Sequence, residues 1–292
     1  LSKPKLAQFV SKETGDGRRY KSPVDGSFVP SVTTITGKED KSAMIQWAVR
    51  LTLAWADENW MRLGNQSSED TLRRGAYRWR DVRDERAQIG TEVHEWAESD
   101  LNGAWDTPEV WGEVAECVEQ WLDLRQHHDI QPVHVEATVW SDEHGYAGTL
   151  DGLGYIDGVL TLWDVKTSKG LFHSHEMQLA ALSRADFMWV EVAEGTEGCY
   201  RFDGKDDDGN PETTFWVKKD IPKVEQYAFI HLRPNYFDPL KKEWVPAFWK
   251  IEYVEPEDID GLFETFLGYR QVVRGLDKTK QVRKNRENKG EN

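Results

Sequence analysis

Gly148–Ser168 reads GTLDGLGYIDGVLTLWDVKTS, and its reading decides the fold. Apolar residues alternate on either side of Asp157-Gly158, a dipeptide that favours the two-residue turns of β-hairpins. A tight hairpin closed there brings Asp151 beside Asp164. Side chains on a strand repeat every second residue, so Asp164 and Lys166 project from the same face. Two carboxylates and an ammonium then converge, a set suited to holding a divalent cation and positioning a water for phosphodiester hydrolysis. An acid entering the apolar run Val159–Trp163 also needs a partner or a metal, which weighs against Asp164 as a mere surface acid.

Working outward, Val133, Val135, Ala137 and Val139 alternate with His134, Glu136, Thr138 and Trp140, predicting a half-buried strand ahead of the hairpin. The three strands form an antiparallel meander. Helical spacing is expected from Ser174 to Val190, packed on one face of that sheet. Residues 191–222 are rich in Gly and Asp and read as an insertion, a loop or a small hairpin. The acids Asp206, Asp207 and Asp208 within it lack the spacing of a calcium loop. Val224–Arg233 and Ala247–Val254 read as further strands, and Pro256–Arg274 as a closing helix. The basic end from residue 276 to 292 is expected to be disordered and available to touch DNA.

Upstream, Pro30–Thr36 (PSVTTIT) reads as a short strand or extended arm, and Ala43–Met61 as an amphipathic helix capped by Ser42. A second helix, Thr71–Leu101, divides by charge. Arg73, Arg74, Arg78, Arg80, Arg83 and Arg86 precede Glu92, Glu95, Glu98 and Asp100. Arginines along a helix grip successive phosphates, but pairs with Asp81, Asp84 and Glu85 give the same pattern on a solvated face. Glu109–His128 carries Val110, Val114, Cys117, Val118, Trp121 and Leu124 on one side, as core packing requires. The expected organisation is a single domain over 1–275: a mainly helical part to 130, a sheet core over 131–255 and a closing helix over 256–275.

The chain has 292 residues, enough for a sizeable core. A charged fraction of 30% and a mean hydropathy of −0.70 go with the lack of any apolar run long enough for a membrane span. LSKPKLAQFV has no continuous apolar core, so no secretory signal is expected there, and the expected location is the cytoplasm. Two cysteines, Cys117 and Cys199, are too few for a disulfide framework or a four-thiolate cluster. A net charge of −15 excludes a generally basic nucleic-acid-coating surface, but not a confined basic channel. The 14 tryptophans could serve as a stacking platform, although positions such as Trp47 and Trp121 have core-like spacing.

Several of these stretches together resemble the PD-(D/E)XK nucleases. Gly90-Thr91-Glu92-Val93-His94 is similar to the GTxxH motif of the RecB-type exonuclease branch, Gly148-Thr-Leu-Asp151 to its G-x-x-D motif, and Asp164-Val-Lys166-Thr to its D-x-K-T motif. Gln178 occupies the glutamine position of the Q-x-x-x-Y helix, and PSVTTIT resembles phage-encoded members. The likeness runs from Pro30 to Leu182, which stands where the family has tyrosine. It implies an α/β (α+β) fold with a restriction-endonuclease-like αβββαβ core, a mixed central sheet flanked by helices, and an N-terminal helical region. It further implies a DNA exonuclease of phage DNA recombination, repair or processing, with DNA as partner alongside phage recombination or replication proteins. In a phage-encoded protein the compartment is the host cytoplasm. No counterpart of the cysteines that hold an iron–sulfur cluster in some relatives is present, so none is expected.

The resemblance assigns one or two Mg²⁺ or Mn²⁺ ions to Asp151 and Asp164, with the carbonyl of Val165 and the side chain of His94 as further ligands. Hard cations favour such oxygen-rich sets. Outside the GTxxH context, His94 would read as a helix histidine paired with Glu98. Lys166 either orients the attacking water or stabilises charge on the phosphate. Glu136 either holds a metal water or Lys166, or faces solvent. Gln178 either hydrogen-bonds near the site or touches the nucleic-acid backbone. Two other readings are a non-catalytic DNA-binding accessory that keeps the fold, and a tryptophan-rich carbohydrate- or peptide-binding domain.

Overall fold

The computed structural model describes residues 10–14, 17–22, 24–39, 41–61, 69–103, 109–205, 210–238 and 241–288. The acids Asp206, Asp207 and Asp208, and the stretch LSKPKLAQF at 1–9, lie outside the described residues. The chain is an α/β protein built on a large mixed sheet flanked by helices.

Among the described residues the amino-terminal part begins with three short strands and continues in helices. β1 (Val10–Thr14), β2 (Gly17–Lys21) and β3 (Phe28–Pro30) form a small antiparallel sheet. Pro30 ends β3, and Ser31 then caps a short helix, α1 (Val32–Thr36), by accepting the Thr34 N–H at 3.0 Å. PSVTTIT is therefore a helix start rather than an extended arm. A serine at the N-cap satisfies an amide that β-branched residues alone leave open. α2 (Ser42–Glu58) starts at Ser42 itself, with no side-chain cap and no buried residue. α3 (Glu69–Leu101) follows, then α4 (Gly112–His127), whose Val114, Cys117, Val118, Trp121 and Leu124 are buried as the spacing predicts.

The large sheet contains β4 (Ile130–Ser141), β5 (Tyr146–Ile156), β6 (Val159–Lys166), β7 (Phe187–Val192), β8 (Tyr200–Lys205), β9 (Pro211–Lys219), β10 (Gln226–Arg233) and β13 (Phe248–Val254). β11 (Tyr236–Asp238) and β12 (Glu243–Val245) make a separate hairpin. The order across the large sheet is β13-β10-β6-β5-β4-β7-β9-β8, with β10 parallel to β6 and the other neighbours antiparallel. The meander β4-β5-β6 is thus central. α5 (His173–Ser183) follows β6 and is shorter than expected. Phe187 and Met188 belong to β7, where they pair with Trp140 and Val139. The run FMWVEV is aromatic and β-branched, and an open strand edge outweighs its accidental helical spacing. Residues 191–222 extend the sheet through β8 and β9, so the insertion is a hairpin.

α6 (Ile259–Asn288) closes the fold and overruns the expected helix end. Its first half packs through Ile259, Leu262, Phe266 and Val273, while residues 278–288 continue as helix instead of the disordered tail expected from 276 onward. Their Lys, Arg and Gln are good helix formers, and extending a packed helix carries no nucleation cost. α1, α5 and α6 cover one sheet face with a core that includes Ile35, Leu150, Leu162, Leu182, Phe229 and Phe266. On the other face α3 and α4 enclose Val93, Trp121, Trp163, Val165 and Ile230. Trp121, Trp163 and Trp189 are fully buried, whereas Trp47 is only half-buried and Trp60 exposed.

Gly148 lets these layers meet. A Cβ there would lie 2.6 Å from Leu182 Cδ2 and 3.0 Å from Val32 Cγ2. Leu182, buried at the position where a tyrosine is usual in the family the sequence resembles, fills that space. Gly148→Ala is expected to cost roughly 1–3 kcal/mol through overpacking. A urea midpoint unchanged from the wild type would contradict this packing.

Candidate metal centre

The turn at Asp157-Gly158 has positive φ at both positions, 51° and 84°, as a tight hairpin turn of the favoured hand demands. From it the β5–β6 ladder runs from Ile156↔Val159 to Gly152↔Trp163. One step beyond, Asp151 faces Asp164. Asp151 Oδ2 accepts the Val165 N–H at 2.7 Å, so a side chain takes the backbone's place just where the two strands part.

His94 enters this gap from α3, its Nδ1 lying 3.2 Å from Asp151 Oδ2. Glu136 reaches it from β4. It sits between the ladder pairs Val135↔Gly152 and Ala137↔Leu150, yet its φ is 52°. A non-glycine residue in that region is strained, and such strain gathers at functional positions. One ligand atom each from His94, Glu136 and Asp151 falls within 4.8 Å of the others. Burial first, then the carboxylates of Asp151, Glu98 and Asp164, push the Glu136 carboxyl up to about 9.

Asp164 is almost wholly buried. Its Oδ1 accepts a hydrogen bond from Gln178 Nε2 at 3.1 Å, and its Oδ2 forms an ion pair with Lys166 Nζ. That second oxygen has no hydrogen-bond partner of good geometry. Desolvation raises the Asp164 carboxyl, opposed by the Lys166 charge. Desolvation also works against the Lys166 ammonium, but Asp164 and Asp151 outweigh it and hold the lysine above its ordinary value. His175, one turn before Gln178 on α5, is pushed down to about 4 by burial and then by Lys166. Behind Lys166, His231 on β10 contacts the Ser168 carbonyl through Nε2 at 2.7 Å and Glu252 through Nδ1 at 3.1 Å.

His94, Glu95, Glu98, Glu136, Asp151 and Gln178 line a cleft of about 370 Å³, while Asp164 and Lys166 lie behind its lining. Arg18 of β2 also lines it and is attracted to Glu136. The Arg18 carbonyl accepts from Ser31 N–H at 3.0 Å and from Thr34 Oγ1 at 2.9 Å, which docks β2 on the start of α1. Arg18 has no local motif to mark it; only the docking of β2 puts it here.

The donor set suits a hard or borderline divalent cation: two carboxylates and one imidazole with their ligand atoms close together, and a third carboxylate, Asp164, whose buried Oδ2 has the Lys166 ion pair but no hydrogen bond. Asp151, Asp164, Lys166, His94, Glu136 and Gln178 lie together where β5 and β6 part, with His94 beside Asp151. Val165 contributes its N–H to Asp151. An extended residue's N–H and C=O project to the same strand edge, so its carbonyl also faces β5.

The arginines of α3 are not gathered here. Arg86 pairs with Glu113 of α4, and Arg83 donates to Asp84 at 2.8 Å. Arg73 and Arg74 border a shallow hollow with Tyr77 and Asp81. No protein-family model matches this chain, and no curated protein matches it. Among the described residues no helix is long and apolar enough to cross a membrane.

Proposed function

We propose that the chain is a divalent-metal-dependent deoxyribonuclease of the PD-(D/E)XK kind, hydrolysing phosphodiester bonds, with a RecB-like exonuclease as the specific form. The observation that carries this reading is the convergence of His94, Glu136, Asp151 and Asp164 with Lys166 where β5 and β6 part. The order of elements supports it as well: a helix, an antiparallel meander, a helix and then, after the inserted strands β7, β8 and β9, a strand parallel to the meander's last member.

His94, Glu136, Asp151 and Asp164 would hold Mg²⁺ or Mn²⁺. Such an ion supplies Lewis acidity toward a phosphoryl oxygen and makes water nucleophilic at neutral pH. The protein's own groups do the rest. Gln178 fixes the rotamer of Asp164 by donating to it, leaving the second oxygen toward Lys166. Lys166, kept charged by Asp164 and Asp151, offers its ammonium to the developing charge on a phosphate. Arg18 places a second cation in the lining of the cleft, where it offsets the carboxylates' repulsion of a polyanion.

Linear and circular DNA incubated with Mg²⁺ or Mn²⁺ test the reading, with EDTA and Asp164→Ala as controls. Loss of linear DNA that needs metal and disappears in the variant is expected, with circular DNA spared. Cleavage that survives EDTA or persists in Asp164→Ala refutes the site assignment.

A further inference from the structure

α3 carries His94 near its carboxyl end and a dense set of arginines near its amino end, all on one continuous helix. At about 100° per residue, helix geometry fixes which arginines share the face of His94. Arg83 lies about 20° from the direction of His94, Arg80 about 40° and Arg73 about 60°, whereas Arg74 and Arg78 lie about 160° away. The same construction puts Gly90 and Glu98 at about 40° and Thr91 at about 60°, and these residues do line the cleft. The face that looks into the cleft therefore continues along the helix as Arg83, Arg80 and Arg73, about 16, 21 and 32 Å from His94 at 1.5 Å per residue.

The acids are sorted as well. Between Arg73 and Gly90 none lies within about 60° of the His94 direction; Asp81 and Glu85 share the far side with Arg74 and Arg78, and Asp84 sits on the flank. A merely solvated helix would scatter them. Arg80 lies against aromatic rings, 4.6 Å from the Tyr77 ring centre and 5.4 Å from that of Trp79, and Arg83 is held between Trp79, 5.4 Å away, and Asp84, to which it donates at 2.8 Å. Arg73, Arg80 and Arg83 are all exposed. On a chain of net charge −15, an arginine stripe ending at a carboxylate-lined cleft, with Asp84 only on its flank, fits one partner chemistry, a phosphodiester backbone.

We propose that Arg73, Arg80 and Arg83 form the track along which the phosphates of the substrate strand approach the cleft, and that Arg74 and Arg78 take no part. The proposal rests on the nuclease reading for its substrate class.

The test compares variants of identical charge on the same helix. Binding of labelled single-stranded and duplex oligonucleotides is measured by fluorescence anisotropy in EDTA, over a range of salt concentrations. Arg80→Glu with Arg83→Glu is expected to weaken binding by at least about tenfold and to reduce the salt slope by about 1.5–2, two phosphate contacts' worth. Arg74→Glu with Arg78→Glu is expected to stay within about twofold of wild type, with its slope unchanged. Circular dichroism monitors folding, and Arg80→Gln with Arg83→Gln gives the same ranking with a milder change if the reversal unfolds the protein. Equal losses in both pairs, or no binding of either oligonucleotide by the wild type, overturn the track. Cleavage in Mn²⁺ separates the two readings: a cleaving wild type with equal losses in both pairs retains the nuclease and rejects the track. Face-selective binding without cleavage in any metal does the reverse.

Discussion

Asp151→Asn is expected to reduce DNA cleavage by roughly 10³-fold or more while leaving the fold intact, a larger loss than the 10–100-fold typical when a residue supporting a metal ligand is removed. Asp151 is where the site's elements meet. Its Oδ2 accepts the Val165 N–H from β6 and faces His94 from α3, and its charge acts on Glu136 and Asp164. Asparagine still offers a carbonyl oxygen to the Val165 amide, so the parting of β5 and β6 is preserved. The negative charge that would draw a cation is lost. Gln178→Ala provides the comparison: it frees Asp164 Oδ1 without removing a carboxylate, so a 10–100-fold loss is expected. Calorimetric titration with Mn²⁺ should show weakened binding in Asp151→Asn and near-normal stoichiometry in Gln178→Ala. Equal activity in Asp151→Asn and wild type, at unchanged melting temperature, would remove this residue from the centre.

That ranking depends on features that differ in how readily the sequence discloses them. The hairpin is local: Asp157-Gly158 takes the positive φ values such a turn demands, and the register of Asp151 with Asp164 follows by counting from it. Gln178 and Lys166 follow from periodicity once β6 and α5 are placed. The facing of arginines on α3 is equally arithmetic, but it acquires meaning only when His94 is known to face the cleft. Arg18 belongs to another category. Its position depends on β2 docking against α1 through the Arg18 carbonyl, a contact between separate segments with no local signature. β7 and the end of α6 fail for a different reason. Phe187 and Met188 suit helix and strand alike until β4 offers an edge, and the polar end of α6 reads as disorder until it is seen to extend a packed helix.

Glu136 combines what counting can reach with what it cannot, and it supports the second large effect. Alternation puts it on β4, but neither the φ of 52° nor the proximity of Asp151, Glu98 and Asp164 is visible in the chain. Its carboxyl is raised from 4.5 to about 9, so between those values the metal-free folded state retains a proton that the unfolded state releases. Stability of the metal-free protein must therefore fall as pH climbs through that window. Glu136→Gln removes this group's contribution to the fall, and is expected to raise the thermal midpoint at pH 8 by roughly 3–8 °C. Glu136→Gly removes the charge and also the backbone strain of about 1–3 kcal/mol, less the roughly 0.5–1 kcal/mol entropic cost of glycine. Both variants should lose metal affinity and cleavage, because the stabilised protein has given up a ligand. In the wild type a divalent cation must displace the proton, so Mn²⁺ binding at pH 7.5 should release about one proton and tighten as pH rises toward 9. Calorimetry in two buffers of different ionisation enthalpy measures the release, and melting from pH 5 to 9 measures the stability slope. Identical pH slopes in wild type and Glu136→Gln, with no proton released on binding, would mean that Glu136 stands outside the metal centre and that its strained backbone serves packing alone.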